Sequence, residues 1–233
     1  VTLLGRLQKF AGKEKQPWFD KKLFAQIMAI AIPSILQQSV LSVGNLFVQG
    51  IVNQFGSAVV AGYSGAIKLN TFAINIFMTL GSCLSSYTAQ NIGAGQKDRV
   101  REGYRAVTIM VLGFAAVICL ALELSGDSLA YLFLGADGTP AAMQTAVSCM
   151  MFMGWFYCLI GFKMTADGVL RGAGDMKLFT VANLVNLGIR VLVAVTMAPR
   201  FGIFMVWAAV PVGWTANWLI SYLRYRTGKW EKR

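Results

Sequence analysis

Five uncharged polar side chains recur along one predicted helix near the start of the chain. They follow each other at steps of four, three, four and four residues: Gln38, Ser42, Asn45, Gln49 and Asn53. This spacing places them on one face of an α-helix, and no charged residue lies between Leu23 and Ile67. Amides and hydroxyls in one register could line a path for water or solute. The alternative is that they join this helix to a neighbour by hydrogen bonds, but five polar groups in one register exceed what packing usually needs.

Two further stretches carry polar side chains at helical spacing. The first set is Thr71, Asn75, Thr79, Ser82, Ser86 and Gln90, and the second is Asn183, Asn186 and Arg190. We interpret part of these two sets and most of the first stripe as candidate cavity-lining residues. The candidates are Gln38, Ser42, Asn45, Gln49, Asn75, Thr79, Ser86, Asn183, Asn186 and Arg190.

Arg190 is the charged residue in this set. It follows Lys177 by about 13 residues, roughly 20 Å along a helix, inside an apolar stretch. A charge at such a depth is costly and is by default paired or functional. Asn186 is a candidate hydrogen-bond partner one turn earlier, and Glu123 is a candidate counter-ion. A structural ion pair and a cavity residue both remain open for Arg190.

Lys163 and Asp167 are four residues apart in another apolar stretch. An i,i+4 pair of opposite charges is typical of an ion pair within one helix, and the spacing favours that interpretation. The alternative is that Asp167 takes part in proton or cation coupling.

These residues lie in a chain whose hydrophobic content is 56%. A soluble α/β domain would carry shorter apolar runs, of about 4–8 residues, whereas a membrane span needs about 20. We therefore predict an all-α integral membrane protein with six transmembrane helices. The predicted spans are 23–55, 69–90, 106–124, 141–165, 178–198 and 201–223. The longest outer connection is predicted over Ser125–Pro140.

The basic residues fix the predicted topology. If the chain crosses a bilayer at each stretch, all but four of the 21 Lys and Arg fall on the side that holds both termini. This is the positive-inside pattern, and it explains the net charge of +11 without nucleic acid. Both termini are predicted to be cytoplasmic, with a basic lead-in at 1–22, a membrane lobe at 23–224 and a basic tail at 225–233.

Several chemistries are disfavoured. The chain has no histidine, so the commonest acid/base group and metal ligand is missing. The cysteines, at unrelated spacings, are interpreted as packing residues rather than a metal site or a disulfide frame: Cys83, Cys119, Cys149 and Cys158. No nucleophile–base pair stands at a recognisable spacing. We predict that the protein is not an enzyme and needs no cofactor or metal.

Five segments in order resemble the MATE (multidrug and toxic compound extrusion) transporters, and in particular the C-terminal half of a bacterial member. They are Ala31–Ser39, Gln90–Gly95 with Arg99, Leu170–Asp175, Arg190, and Tyr225–Trp230. The resemblance implies one six-helix lobe of a twelve-helix, two-lobe transporter in the bacterial plasma membrane. It further implies export of lipophilic or cationic organic compounds in antiport with protons or sodium ions, through a cleft shared with a missing N-terminal lobe.

The chain departs from some sodium-coupled relatives, which carry acidic cation ligands in the first and fourth spans of this lobe. The corresponding stretches, around Leu41 and Ile160, are uncharged. We therefore expect the coupling acid to lie in the missing half. The chain begins with Val rather than Met, which favours a piece of a longer protein or a processed product.

Two other functions remain open. A lipid-linked oligosaccharide flippase of the same superfamily would be expected to have a more basic cavity, and Arg190 and Lys163 leave this possible. A six-span scaffold without transport activity would have no need of polar helix faces. A pair of identical halves acting as one transporter is a related possibility.

Overall fold

The computed structural model describes residues 19–135 and 138–232, and in these ranges it contains helices and no strand. The α-helices are α1 (Lys21–Val52), α2 (Ser57–Gly93), α3 (Lys97–Leu134), α4 (Pro140–Gly154), α5 (Tyr157–Gly172), α6 (Met176–Thr196), α7 (Ala198–Phe201) and α8 (Phe204–Arg226). Short 3-10 helices cover Asn53–Phe55 and Lys229–Lys232. The lead-in predicted at 1–22 falls mostly outside the described residues.

Within the described ranges, four of the helices are long and apolar enough to cross a membrane. They are α2, α3, α6 and the part of α1 that begins at Ser34. The pair α4 and α5 makes a fifth span if the two are counted together. The sixth predicted span corresponds to α8, which has 23 residues but is not among the helices that are apolar enough by composition. Its apolar sequence is diluted by Pro211, Thr215, Asn217 and Ser221.

The fourth predicted span, 141–165, is not one straight helix. It is divided at Trp155 and Phe156, and α4 and α5 meet at a bend of 54°. Phe156 has φ −105° and ψ 6°, outside the α-helical range. Its backbone N–H still donates to the carbonyl of Met153 at 3.0 Å. The bend therefore changes direction without leaving that amide unsatisfied, which a span inside lipid requires.

The outer connection predicted over Ser125–Pro140 is largely helical. After a kink at Ser125 (φ −136°, ψ 18°), α3 continues to Leu134 and ends at Gly135, whose positive φ of 72° suits a residue without Cβ. Thr139 then caps α4, because its hydroxyl accepts from the backbone N–H of Ala142 at 3.2 Å. The prediction of a long loop was wrong for residues 126–134, because they continue α3 beyond the kink.

The helices pack in two groups that α5 joins. On one side, α2 contacts α3, α4 and α5, and on the other, α6 contacts α8 and α1. Because α5 also packs on α8, it links the two groups. Helix α1 lies against α6 at Gly44, where an added Cβ would collide with the side chain of Leu187. It reaches α2 through the 3-10 helix, so a gap remains between the middles of α1 and α2.

Large apolar side chains cover the outer surface of this lobe. Ile109 and Leu124 on α3 are 70% and 83% exposed, and Leu46 on α1 is 70% exposed. Surfaces of this kind suit lipid or a second membrane domain. The fold is therefore that of a helical membrane lobe, with the polar faces of α1 and α2 exposed around the gap between them.

Candidate functional site

A cavity of about 320 Å³ lies in the gap between α1 and α2, with walls from five helices. Helix α1 supplies Asn45, Val48 and Gln49, and α2 supplies Tyr63, Ile67, Asn70, Thr71 and Ile74. Met153 of α4, Arg190 of α6 and Val210 and Trp214 of α8 complete the lining. The structure therefore brings together Asn45, Gln49 and Arg190 from the sequence-predicted set.

Among the described residues, Arg190 is the only charged one that lines the cavity. Among the described residues, no hydrogen bond or ion pair to its side chain is formed. Asn186, the suggested local partner, is buried, and its Oδ1 has no hydrogen-bond partner. Glu123, the suggested counter-ion, is exposed on α3, a helix that packs on α2, α4 and α5. Both suggested pairings are therefore wrong, because α6 turns Arg190 towards α1 and α2 instead.

The approach of α6 to α8 sets the position of Arg190. At Gly213 of α8, an added Cβ would collide with Oδ1 of Asn186 and would lie 3.3 Å from Cγ of Arg190. A glycine at this point lets the stem of the arginine pass beside α8. Its charged end then reaches the cavity.

The amides of the cavity differ in how they are satisfied. Nε2 of Gln49 donates to Oδ1 of Asn53 at 3.0 Å. Asn70 is 8% exposed, and its Oδ1 has no partner in the described part of the chain. Two members of the α1 stripe, Gln38 and Ser42, are exposed further along the helix and do not line the cavity. The hydroxyl of Ser42 donates to the carbonyl of Gln38 at 3.0 Å.

The polar stripe of α2 lies on a separate groove. Asn75, Thr79 and Ser86 line a depression of about 420 Å³, together with Met78, Ser82 and Cys83. Near its end, Nη2 of Arg171 donates to Oγ of Ser82 at 3.1 Å. The structure therefore places this part of the predicted set on the same exposed side as the cavity but away from Arg190.

Asn183 does not face the cavity, although it shares a helical face with Arg190. Its Oδ1 accepts from Nζ of Lys163 at 3.0 Å, and the same Nζ lies 2.8 Å from Oδ2 of Asp167. Oγ of Ser221 donates to the other carboxylate oxygen, Oδ1 of Asp167, at 2.7 Å. All four residues are buried. They form a polar network that joins α5, α6 and α8, with both charges neutralised inside it.

Sequence reasoning missed two members of this network, Asn217 and Ser221. They are four residues apart on α8 and completely buried, and their side chains are 3.4 Å apart. Polar residues at helical spacing in an apolar stretch are the signal that could have found them. A second omission is Gln37, whose Oε1 accepts from the hydroxyl of Thr180 at 3.2 Å and ties α1 to α6.

The basic ends of several helices meet at one end of the lobe. Nε of Arg224, at the end of α8, donates to Oδ2 of Asp175 in the turn before α6 at 2.6 Å. The rings of Tyr104 on α3 and Tyr225 on α8 stack with centroids 4.2 Å apart. Trp230, in the segment predicted as a tail, is buried against Tyr225. The Arg171, Arg224 and Lys97 regions therefore lie at a common end.

These features define a class: a helical membrane lobe with a polar cavity that opens on one side between two helices. The comparison with protein families gives this class a name. A model of the MatE family matches residues 33–196, and the chain belongs to this family.

Individual relatives agree with the family. The chain is 28% identical over 233 residues to the probable multidrug resistance protein YpnP of Bacillus subtilis, covering 97% of this chain and 50% of that protein. It is 22% identical over 219 residues to the probable multidrug resistance protein NorM of Thermotoga maritima, covering 93% and 46%. The chain thus spans about half the length of the curated relatives it matches.

Solved structures show the same fold. An outward-facing multidrug resistance MATE family transporter of the MOP superfamily superposes with a TM-score of 0.78 at 22% identity, covering 87% of this chain and 45% of that one. A MATE transporter in complex with MaL6 gives a TM-score of 0.80 at 17% identity, covering 94% and 49%. The chain has the fold of one half of these transporters.

Proposed function

We propose that this chain forms one six-helix lobe of a secondary transporter that exports organic compounds from bacteria by alternating access. The observation that supports this most directly is the cavity between α1 and α2. Its lining combines amides with apolar side chains, as small-molecule sites do, and it opens on the side where the polar stripes are exposed. A second, N-terminal lobe of similar size would close that side and complete a cleft.

The proposed topology follows the charge distribution. The lobe lies in the bacterial plasma membrane, with the common end of Arg171 and Arg224 and both chain termini on the cytoplasmic side. The aromatic stack of Tyr104 and Tyr225 supports the positioning of these helix ends together.

Coupling to protons or sodium ions is proposed to reside mainly in the other lobe. The cavity of this lobe has no acidic residue among its lining residues. Asp167, which is buried between helices, is held by Lys163 and Ser221. A carboxylate that accepts from an ammonium, an amide and a hydroxyl in a neutral network is better suited to holding helices together than to releasing and taking up an ion during each cycle.

The flippase alternative is supported less well. Lys163 is paired inside the network rather than exposed in the cavity, so one cation lines the cavity instead of two. A scaffold without transport activity does not account for the cavity or for the polar faces around it.

The proposed activity can be measured in cells. The full-length protein that contains this chain, produced in a bacterial strain without its own efflux pumps, is expected to lower the cellular accumulation of at least one fluorescent organic compound several-fold. Collapse of the proton and sodium gradients is expected to abolish that difference, because a secondary transporter has no other energy source. An unchanged accumulation of every compound in a panel of cations, neutral compounds and anions would refute the proposal.

One substitution inside the cavity and a matched one on the outer surface test whether the cavity carries the activity. Tyr63→Trp fills part of the cavity and is expected to reduce export several-fold, whereas Leu124→Phe, on the exposed outer face of α3, is expected to leave it unchanged. Equal export by the two variants would show that the exported compound does not pass through this cavity.

A further inference from the structure

The cavity of this lobe carries a positive charge that nothing in its walls balances. Arg190 contributes the charge, and the eleven other lining residues are amides, hydroxyl-bearing side chains and apolar groups. Within the described part of the chain, the guanidinium has no hydrogen bond or ion pair. An unbalanced charge among apolar helices is expensive, so a group that neutralises it would bind with a large gain.

The acids of the described chain are all committed elsewhere or lie on other surfaces. Asp167 and Asp175 are paired with Lys163 and Arg224. Asp20 caps the start of α1, where its Oδ1 accepts from the backbone of Lys22. The remaining acids whose side chains the structure describes lie on α3: Asp98, Glu102, Glu123 and Asp127. Helix α3 supplies no lining residue to the cavity, so none of these carboxylates balances Arg190.

The chemistry of the walls fits a carboxylate. A guanidinium presents a planar fork of N–H donors that matches a carboxylate in a bidentate geometry. The amide of Asn45, on α1, can add a neutral N–H donor, and the hydroxyl of Tyr63, on α2, can add another. An organic cation, in contrast, would meet a like charge and no anion among the described residues that line this cavity.

The other lining residues fit the body of an amphiphile. Val48, Ile67, Met153, Val210 and Trp214 form an apolar surface around the polar groups. Trp214 provides a large ring face, and Met153 adapts to irregular shapes. A volume of about 320 Å³ suits one aromatic ring system with a short acidic side arm.

We propose that the Arg190 cavity recognises the carboxylate of an aromatic or aliphatic acid, so that this transporter exports amphiphilic organic anions. This inference rests on the proposed export function and specifies its substrate class. It departs from the expectation of cationic substrates that the family resemblance raises, because the charge on the cavity wall has the opposite sign.

Three probes of the same shape test the sign of the charge. They are naphthylacetate, its methyl ester and naphthylmethyl-trimethylammonium, applied to the purified full-length protein in proteoliposomes, with binding and transport both measured. Naphthylacetate is expected to bind at least about tenfold more tightly than the ammonium compound, since a single charge reversal at a guanidinium exceeds the free energy of a tenfold change. The affinity for the methyl ester is expected to be close to that for the ammonium compound.

Three variants test the residues. Arg190→Gln is expected to weaken naphthylacetate binding by about thirtyfold or more, which is typical for loss of one partner of a buried charge pair, and to leave the ester unaffected. Arg190→Lys is expected to lose less affinity for naphthylacetate, because lysine keeps the positive charge but not the planar fork of N–H donors. Gln49→Glu adds an acid to the opposite wall and leaves Arg190 in place. This variant is expected to bind naphthylacetate more weakly and the ammonium compound more tightly.

The outcomes separate this inference from the proposed function. Export of ethidium with equal binding of naphthylacetate and the ammonium compound would overturn the anion inference and leave the transport proposal in place. Loss of all export, with no binding of any probe, would overturn both. If Arg190→Gln does not fold, the Gln49→Glu variant decides, through its shift in binding preference from naphthylacetate towards the ammonium compound. Gln49 is only partly buried, so its substitution is expected to leave the protein folded. An unchanged preference in that variant counts against the inference.

Discussion

Replacing Lys163 with glutamine is expected to destabilise the lobe by about 3–5 kcal/mol, because the carboxylate of Asp167 would be left without a counter-charge in the interior. Lys163 is 5% exposed and Asp167 is 4% exposed, so water cannot replace the lost ammonium. The remaining donors to Asp167 are Ser221 at 2.7 Å and Asn183 at 3.4 Å, which are both neutral. The temperature at which half of the detergent-solubilised protein loses its monodisperse peak measures the effect.

The double variant Lys163→Gln/Asp167→Asn is the decisive comparison. It removes both charges and keeps polar groups of similar size, so most of the lost stability is expected to return. An exposed pair provides a control: Arg101→Gln removes the partner of Asp98, and both side chains are largely exposed, so a change of about 1 kcal/mol or less is expected. Additive losses in the double variant would show that the two charges do not act as a pair.

The same double variant separates a structural role from a coupling role. If Asp167 holds helices together, ion-coupled transport by the full-length protein is expected to keep its pH dependence in the double variant. If Asp167 carries the coupling ion, gradient-driven export is lost while the protein stays folded. That second result would move the proposed coupling site from the proposed second lobe into this one.

The membrane class and the polar face of α1 could be predicted from the sequence because both depend on local properties. The length of an apolar stretch and a step of three or four residues are set by helix geometry and bilayer thickness. The resemblance to MATE transporters, confirmed by the MatE match to residues 33–196, rested on short segments in order. None of these required knowledge of which helix packs on which.

The partners of the polar residues could not be predicted in this way. Asn183 and Arg190 are seven residues apart, about two helical turns, and so share one face of α6. The structure nevertheless assigns them to different environments, because Asn183 contacts the buried ion pair of α5, whereas Arg190 lies where the gap between α1 and α2 opens. These different environments follow from the packing of separate helices, which the residue spacing within one helix cannot predict.

The bend between α4 and α5 escaped prediction for a related reason. The apolar stretch continues through Trp155 and Phe156 without proline, so composition indicated one span. The close approach of α5 to its neighbours, with Gly161 against Val111 and Gly168 against α2, requires a different direction from that of α4. The two helices therefore meet at an angle that tertiary packing determines.

Replacing Gly168 with alanine is expected to destabilise the lobe by about 1–3 kcal/mol through overpacking. An added Cβ at Gly168 would lie 2.5 Å from the carbonyl oxygen of Gly81 on α2, and one at Gly81 would lie 2.6 Å from the carbonyl oxygen of Met164 on α5. Both obstacles are backbone atoms, which cannot rotate away as a side chain does. Glycines four residues apart, Gly168 and Gly172, permit this close crossing, as small residues do between membrane helices.

The same substitution at a different glycine is expected to have the opposite effect. Gly188 on α6 has nothing within 4 Å of an added Cβ, so Gly188→Ala removes backbone freedom without a collision and is neutral or stabilising by up to about 1 kcal/mol. Thermal stability of the two variants, measured side by side in detergent, gives the comparison. Equal tolerance at both positions would show that α2 and α5 are not in close backbone contact.

The crossing of α2 and α5 also bears on transport. Helix α2 supplies five of the residues that line the Arg190 cavity, including Tyr63 and Asn70. A shift of α2 away from α5 at Gly168 would move these side chains relative to Arg190, which α6 holds. Export by Gly168→Ala is therefore expected to fall more than its loss of folded protein accounts for, whereas export by Gly188→Ala follows the amount of folded protein.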